Sequence, residues 1–334
     1  LNIEHRALVI GGGMAYMTAA LSIAGQGYPV FLVEKTTALG GHLRHIKTGI
    51  NGSDPQTLLA ETINQISRQP LITVMMESEV VSVSGYVGQY TSQVRSTAGE
   101  TTEIQHGVIL VASGGQEIEP KSYAYGQIPG VMTQHDLEER IDEIIPADGQ
   151  AGAVVMIQCV GSRDKEHPYC SRVCCTQAIK NALEIKKRSP ATPVTILYRD
   201  IRSYGFREKL YRQAREAGVL FLEFDADTPP QVSSTADLPG GGLQVKVLVQ
   251  PDGEEVTLRC SNVILSAGIE AEPGNETLSR LLKLPLTAEG FFLEAHVKLR
   301  PVDFAADGIF LCGLAHSPRA LEEKRLRFWR TYTD

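Results

Sequence analysis

The sequence of 334 residues predicts an α/β protein with two Rossmann-like domains, each a βαβ unit followed by a β-meander. Three observations predict this fold class. A glycine turn joins an apolar strand to a small-residue helix near the amino terminus, a second βαβ pattern begins near residue 153, and both halves end on an apolar strand followed by glycine. We expect domain segments at 1–150, 151–265 and 266–334, the last returning to the first domain.

The first βαβ unit has the pattern of a dinucleotide-binding turn. Residues 6–10 are an apolar strand, Gly11–Gly13 form the turn, and residues 17–24 are typical of a helix. Glu34 closes the next strand, twenty-one residues after Gly13, at the spacing of an acid that binds an adenosine ribose. The glycines let the backbone approach a pyrophosphate at the helix N-terminus.

Tyr16 occupies the position of the third glycine in this pattern, which normally allows the helix to pack closely on the strand. We expect its side chain to swing outward or to push the helix away from the sheet. Either outcome weakens nucleotide binding. A βαβ unit that keeps its fold without a ligand is the alternative interpretation.

The remaining elements follow from alternation, β-branching and turn residues. The predicted strands of the first domain lie at 71–76, 79–84, 89–96 and 103–112, before a polar helix at 136–145. The predicted elements of the second domain are strands at 153–158, 194–198, 219–224, 244–249, 255–258 and 260–268, helices at 172–188 and 207–217, and a turn at 239–242.

Four of the six cysteines, Cys159, Cys170, Cys174 and Cys175, lie within seventeen residues. If a helix begins near Ser171, two of these thiols share one helical face and the third is adjacent. Convergent thiolates are the ligands of an iron–sulfur cluster or a structural zinc, and the missing C-x2-C pairs favour iron–sulfur. Two disulfides, or four buried inert thiols, are less consistent with so dense a group in a chain without a secretory signal.

The cysteines begin where a second nucleotide site would lie. The strand 153–158 leads into Cys159-Val-Gly161-Ser162 instead of a glycine fingerprint, and ligands of doubly wound sheets bind beyond the carboxyl ends of strands. A metal site is therefore predicted in place of a nicotinamide site, with the dipole of the next helix favouring thiolates. Cys260 and Cys312 are expected to pack in the core, a flavin contact by Cys312 being the alternative.

Charge and hydropathy exclude other classes. The net charge of −7 argues against a nucleic-acid partner, and no apolar run approaches the ~20 residues that span a bilayer. We expect a cytoplasmic protein. Because the chain begins at Leu1 rather than Met, we also expect it to be part of a longer protein.

Together these motifs resemble the flavoprotein A subunit of heterodisulfide reductase and the related subunits of quinone-interacting oxidoreductase complexes. The matching segments are 11–13, 34–35, 39–42, 157–163, 168–175 and 307–318. The resemblance implies the thioredoxin/disulfide-reductase flavoprotein fold, FAD, and one [4Fe-4S] cluster ligated by Cys159, Cys170, Cys174 and Cys175. It implies FAD contacts from Gly11, Gly12, Gly13, Met14, Ala15, Glu34, Lys35, Gly40, Gly41, His42, Val81, Ala112, Ser113, Gly114 and Gly313.

The sequence therefore predicts an electron-transfer module with FAD and a [4Fe-4S] cluster, in which no side chain acts as acid or base. Its expected partners are other subunits of a heterodisulfide-reductase-like complex and ferredoxin-like carriers. The family's ferredoxin modules are missing, and a basic tail at 324–330 replaces an alanine-rich helix. The alternatives are a pyridine-nucleotide disulfide reductase, which needs a redox C-x-x-C and a second glycine turn, and a flavin-free scaffold.

Overall fold

The structure is a computed structural model that describes residues 3–50, 53–146, 151–235 and 242–319. The chain divides into two compact units. Unit 1 comprises Leu1–Arg44, Asp54–Gln116 and Glu270–Asp334, and unit 2 comprises His45–Ser53 and Glu117–Ile269. The predicted basic tail and most of the predicted turn at 239–242 lie outside the described residues.

The elements are numbered in chain order. The strands are β1 Ala7–Ile10, β2 Val30–Val33, β3 Ile72–Met75, β4 Ser78–Tyr86, β5 Gln89–Ser96, β6 Thr101–His106, β7 Val108–Val111, β8 Gly115–Glu117, β9 Val131–Thr133, β10 Val154–Val160, β11 Val194–Tyr198, β12 Leu220–Glu223, β13 Gln231–Thr235, β14 Gly242–Val249, β15 Glu254–Cys260, β16 Asn262–Ala267, β17 Ile269–Ala271 and β18 Ile309–Leu311. The α-helices are α1 Met14–Gly25, α2 Pro55–Arg68, α3 Gln134–Glu139, α4 Ile141–Ile144, α5 Cys174–Arg188, α6 Glu208–Glu216 and α7 Asn275–Leu282. Short 3-10 helices lie at Gly41–His45, Gly205–Arg207 and Gly313–Ala315.

Unit 1 is built on a five-stranded parallel sheet in the order β18-β7-β1-β2-β3. The central strand β1 is buried along its whole length, as strands covered on both faces must be. The antiparallel meander β4-β5-β6 belongs to the same unit. Phe292 and Phe304 are fully buried in this core and pack edge to face, with ring centroids 5.6 Å apart.

Unit 2 repeats this plan with the parallel order β12-β11-β10-β16-β9 and the antiparallel meander β13-β14-β15. Its core is formed by the apolar faces of β10, β16 and α5. The sequence placed residues 117–150 in the first domain, whereas the described part of this stretch groups with unit 2. The reason is that β9 pairs with the sheet edge, Val131 opposite Val263, and leads directly into α3.

Two predicted elements are each divided in two. The strand at 103–112 breaks between β6 and β7 at Gly107, where a Cβ atom would lie 2.1 Å from the Glu4 carbonyl oxygen. The helix at 136–145 consists of α3 and α4, separated at Arg140 with φ −110°. Among the described residues, no helix is both long and apolar enough to span a membrane.

Candidate cofactor and cluster sites

The predicted glycine turn connects β1 to α1 in unit 1. Gly11 has φ +119°, a conformation that favours glycine, and its N–H donates to the Val33 carbonyl at 2.7 Å. Gly13 is the N-cap of α1, and no side chain caps this helix. The first N–H groups of an uncapped helix have no intrahelical acceptor, so this turn has the polarity of an anion site.

Glu34 and Lys35 lie at the carboxyl end of β2. The buried Glu34 carboxylate accepts hydrogen bonds from the Thr36 N–H and hydroxyl, both at 2.7 Å. Its other oxygen lies against the turn, since a Cβ atom on Gly12 would be 2.7 Å from Glu34 Oε2. Lys35 forms an ion pair with Glu272. The acid predicted to bind a ribose is therefore placed next to the glycine turn.

A second glycine segment lies beside the turn. The Gly40 N–H donates to the Gly12 carbonyl at 2.8 Å, and a Cβ atom on Gly41 would lie 3.3 Å from Gly13 Cα. His42 follows, and its Nε2 hydrogen-bonds to the Gly115 carbonyl. His42 thus has a structural contact inside unit 1.

The other predicted FAD contacts are at neighbouring strand ends. A Cβ atom on Gly313 would lie 3.2 Å from the Ala15 Cβ and 3.8 Å from the Ala112 Cβ, which brings the ends of β7 and β18 to the start of α1. Ser113 hydrogen-bonds Asn275, and Gly114 has φ +93°. Val81 is half-buried at an irregularity of β4, between Val80 and Ser82.

Tyr16 lies over the glycine turn, and the expectation that it swings outward or displaces α1 is wrong. Its side chain is 4% exposed, and a Cβ atom on Gly11 would lie 2.6 Å from the Tyr16 Cζ. The helix is undisturbed, because the Tyr16 N–H donates to the Gly13 carbonyl at 3.0 Å. The ring fits because Gly11 has no side chain, so it occupies space that a larger residue at position 11 would fill.

The Tyr16 hydroxyl is buried and makes no hydrogen bond with any described residue. Burial, together with the nearby Cys312 and Glu34, raises the pKa of Tyr16 well above its usual value. A buried hydroxyl without a partner costs about 1–3 kcal/mol. The backbone and acid of this cradle fit an FAD pyrophosphate and ribose, but the Tyr16 ring must rotate away before a pyrophosphate can lie on Gly11.

The cysteine site begins at the carboxyl end of β10. The pairing of β10 with β16 shifts between Ile157 and Val160, and Cys159 within this bulge has φ +61°. Gly161 and Arg163 also have positive φ values, +63° and +59°. Bulges re-aim side chains next to functional sites, and this one gives Cys159 an orientation that a regular strand would not.

A short hydrogen-bonded loop brings the chain from Cys159 back to Cys170. The Arg163 N–H and the Ser162 hydroxyl both donate to the Tyr169 carbonyl, at 3.1 Å each. Asp164 Oδ1 accepts from the His167 N–H at 2.7 Å and closes the tip of the loop. These bonds hold the two arms of the loop together, so the segments that carry Cys159 and Cys170 are neighbours.

The helix of the cluster motif begins at Cys174, not near Ser171 as the sequence predicted. Cys174 and Cys175 are buried in its first turn, while Cys170 precedes the helix. The delay follows from Arg172, whose φ of +61° is incompatible with a right-handed helix. The Arg172 N–H donates instead to Cys170 Sγ at 3.3 Å, so Cys170 and Cys174 do not share a helical face.

The four sulfurs influence one another electrostatically. Burial raises the pKa of Cys174 well above its usual value, and the charges of Cys175, Cys159 and Cys170 add to this effect. Burial raises the pKa of Cys175 to about 11, against a hydrogen bond from the Arg202 backbone. The Cys174 and Cys175 thiols are therefore costly to ionise, and a cation bound among the sulfurs would favour the thiolates.

The spacing of the sulfurs is wider than zinc requires. Tetrahedral zinc with Zn–S bonds of about 2.3 Å holds its sulfurs about 3.8 Å apart. Within the described residues, which include all four cysteines, no three of these sulfurs lie within 4.8 Å of one another. A cubane cluster binds each sulfur at a separate iron, so its ligands lie farther apart than those of a single zinc ion.

Two arginines that the sequence analysis missed flank the sulfurs. Arg163 Nη1 lies 3.9 Å from Cys159 Sγ and pairs with Asp200, which also pairs with Arg202 at 3.1 Å. The hydrogen bond to Asp200 raises the pKa of Arg202, and the nearby Cys170 adds to this effect. These cations suit an anionic cluster. The position of Arg202 could have been expected, because residues 199–202 follow β11, the strand that pairs with β10.

The glycines that follow β10 and β16 face other residues of unit 2. A Cβ atom on Gly161 would lie 2.9 Å from Ile118 Cγ2, and one on Gly268 would lie 3.0 Å from both Ile118 Cδ1 and Ser162 Cβ. The glycines there serve internal packing, whereas those of a dinucleotide turn face the ligand.

Cys260 is buried in the core, as predicted, and Cys312 Sγ lies 4.0 Å from the Ala15 carbonyl oxygen.

Comparison with known proteins agrees with this architecture. Residues 5–151 match the family model described as pyridine nucleotide-disulphide oxidoreductase. The thioredoxin reductase of Lactococcus lactis superposes with a TM-score of 0.62 at 16% identity, covering 98% of this chain and all of that one. The thioredoxin reductase of T. acidophilum gives a TM-score of 0.58 at 15% identity, covering 95% and 92%. These structures show the fold.

Curated relatives extend over nearly the whole chain. The A subunit of ferredoxin:CoB-CoM heterodisulfide reductase from Methanosarcina acetivorans is 28% identical over 96% of this chain and 55% of its own length. The iron-sulfur A subunit of CoB–CoM heterodisulfide reductase from Methanocaldococcus jannaschii is 29% identical over 97% and 62%. The chain thus spans somewhat over half the length of these relatives. The chain is similar over nearly its whole length to heterodisulfide reductase A subunits, and it has the fold of the thioredoxin reductases.

Proposed function

We propose that this chain is the FAD- and [4Fe-4S]-containing electron-transfer module of a heterodisulfide-reductase-like complex. The observation that carries the proposal is the group of four cysteines at the carboxyl end of β10, in the position where a reductase of this fold would bind a nicotinamide dinucleotide. The iron-sulfur name of a curated relative supports the same assignment.

Cys159, Cys170, Cys174 and Cys175 would hold the cluster. Two of the sulfurs receive backbone N–H hydrogen bonds, Cys170 from Arg172 and Cys175 from Arg202. Such bonds, like the nearby Arg163 and Arg202 guanidinium groups, stabilise added negative charge and raise the reduction potential of a cluster. Unit 2 would therefore raise the reduction potential of the cluster as well as bind it.

The FAD would lie on the cradle of unit 1. Its pyrophosphate would meet the N–H groups of Gly12 to Ala15 and its ribose would meet Glu34, after Tyr16 has rotated out of the cradle. When bound, FAD exchanges electrons in pairs or singly and the cluster exchanges them singly. The chain's own residues bind and orient these groups, and none is assigned a proton-transfer role.

Donors and acceptors would be partner subunits and ferredoxin-like carriers. The first curated relatives are named as heterodisulfide reductase subunits, one with ferredoxin in its name, and the chain spans 55–62% of their length. We place the module in the cytoplasm as part of the proposal, because the cluster needs reduced thiols and none of the six cysteines forms a disulfide.

Stopped-flow mixing of the anaerobic, flavin- and cluster-loaded chain with electron donors tests the proposal. We expect a reduced ferredoxin to bleach the flavin absorption, and NADH or NADPH alone to leave it unchanged. Rapid bleaching by either nicotinamide would show that unit 2 accepts the nucleotide as an ordinary reductase does. Failure of reduced ferredoxin would overturn the electron-relay role.

A flavin-free scaffold is the second candidate, and the Tyr16 ring over Gly11 favours it. The visible spectrum of the purified protein separates the two. Flavin bands with a broad iron–sulfur shoulder support the electron-transfer module, and a colourless protein that takes up neither group on reconstitution supports the scaffold.

A further inference from the structure

Outside the cysteine site, unit 2 contains a second group of metal-binding side chains, which the sequence analysis did not identify. His45, His135 and Glu139 each offer one ligand atom, and these three atoms lie within 4.8 Å of one another. His135 and Glu139 are one turn apart on α3, so they share a face of that helix. His45 comes from the other segment of unit 2, at residues 45–53.

The distances are close to those of a tetrahedral site. Zn–N and Zn–O bonds of about 2.1 Å place ligand atoms about 3.4 Å apart. His135 Nε2 lies 3.5 Å from Glu139 Oε1, and His45 Nδ1 lies 2.6 Å from the same oxygen in a hydrogen bond. To bind a cation at these bond lengths, His45 Nδ1 and Glu139 Oε1 would have to separate by less than about 1 Å.

The carboxylate of Glu117 lies beside the second ring nitrogen of His135. Its Oε2 lies 3.4 Å from His135 Nδ1, the ring nitrogen opposite the one that faces Glu139. Metal-bound histidines commonly donate their second N–H to a carboxylate, which fixes the tautomer and leaves the other nitrogen free to bind the metal. His135 is oriented in this way.

A buried ion pair fixes the two segments relative to each other. Glu138, which is 2% exposed, pairs with Lys180 at 2.7 Å and accepts the Lys47 N–H at 2.9 Å. Lys180 also donates to the Thr48 carbonyl at 3.0 Å. The backbone two residues after His45 is thus bonded to the helix that carries His135 and Glu139. Ligands on a pre-arranged scaffold lose little entropy on binding.

We propose that His45, His135 and Glu139 bind one divalent first-row transition metal ion of the zinc class, with Glu117 positioning His135. Two imidazoles and one carboxylate suit such ions, and three protein ligands leave at least one coordination position open. The site is separate from the cysteines and does not depend on the proposed electron-transfer function.

Cobalt(II) is the probe, because its absorption distinguishes ligand types. The chelator-treated full chain is titrated with Co²⁺ by calorimetry and absorption spectroscopy. We expect one equivalent, distinct from any cobalt that the four cysteines bind, that has d–d bands and no thiolate-to-cobalt charge-transfer band and that Zn²⁺ displaces. Cobalt bound only with thiolate charge transfer, or not bound at all, would overturn the proposal and leave the three side chains as a hydrogen-bonded network.

Substitutions assign the ligands. We expect His135→Gln and Glu139→Gln to abolish this equivalent, and Glu117→Gln to weaken it roughly 10- to 100-fold. Glu143→Gln, an exposed carboxylate on α4, is the matched control and should bind as the wild type does. His45→Gln, at a partly exposed position, provides an independent test if a helix variant fails to fold by circular dichroism. Wild-type affinity in both His45→Gln and Glu139→Gln would disprove the site.

Discussion

The Tyr16 ring lies directly on Gly11, so close that a Cβ atom on Gly11 would be 2.6 Å from the Tyr16 Cζ. In this position the ring covers the turn that would receive an FAD pyrophosphate. The tyrosine that replaces the third glycine of the dinucleotide fingerprint therefore occupies the place of the nucleotide. FAD binding must provide the free energy needed to expose the ring.

We predict that Tyr16→Gly binds FAD more tightly. Exposing a buried aromatic side chain costs about 1.5–3 kcal/mol, so its removal should lower the FAD dissociation constant roughly 10- to 100-fold. Calorimetric titration of the apoprotein with FAD measures the change. Tyr16→Phe keeps the ring and removes the buried hydroxyl without a partner, so it is the control and should bind FAD no more tightly than the wild type. Unchanged or weaker binding in Tyr16→Gly would show that the ring does not compete with the nucleotide.

Stability should fall in mild acid because of His106. Burial lowers the pKa of His106 from 6.5 to about 4, while its Nδ1–H donates to the Val108 carbonyl at 3.1 Å and its Nε2 accepts from the Ser92 hydroxyl. Below pH 6.5 the unfolded chain binds a proton that the folded chain excludes. The free energy of unfolding is therefore unaffected by this group above pH 6.5, and it falls by about 3 kcal/mol between pH 6.5 and about pH 4.

Hydrogen exchange of the β5 and β6 amides at pH 7 and pH 5 measures this loss. His106→Gln should be less stable at pH 7 but show a shallower decline between the two values. Equal declines in wild type and variant would mean that another group controls acid stability.

We predict that losing one partner of the buried Glu138–Lys180 pair destabilises the fold more than losing both. Burial lowers the pKa of Lys180 although Glu138 opposes this effect. Lys180→Met leaves a buried carboxylate without its cation and should cost about 3–5 kcal/mol of unfolding free energy, whereas the double variant Lys180→Met/Glu138→Gln should recover most of it. Urea unfolding provides the values.

Arg280→Met, which breaks the exposed Arg280–Glu276 pair, is the matched control and should cost less than about 1 kcal/mol. A double variant of Lys180 and Glu138 as unstable as Lys180→Met would disprove the compensation.

Much of the fold could be predicted from local patterns. Strand β5 and strand β11 have the predicted bounds, because alternation and β-branching over five to eight residues identify strands well. Helix α2 was missed although Asp54 caps it and Pro55 begins it, which are ordinary N-terminal signals. The grouping of residues 117–146 with unit 2 could not be inferred, because the pairing of β9 with β16 is a long-range contact without a local signature.

The candidate sites were predictable in composition but not in geometry. Cys159, Cys170, Cys174 and Cys175 could be identified by spacing, whereas the late start of α5 depends on the positive φ of Arg172. The inward Tyr16 could not be inferred, because whether a ring points into a cradle depends on the space left by Gly11. His45 and His135 lie ninety residues apart, and only the fold brings them together.

The cysteine ligands are tested most directly by iron and sulfide analysis of the anaerobically reconstituted chain. We predict about four irons and four sulfides per chain, with large losses in Cys159→Ser, Cys170→Ser, Cys174→Ser and Cys175→Ser. Cys260→Ala, which changes a buried cysteine far from the motif in sequence, should keep the wild-type content. Zinc in place of iron, or full iron and sulfide in the four serine variants, would contradict the cluster assignment.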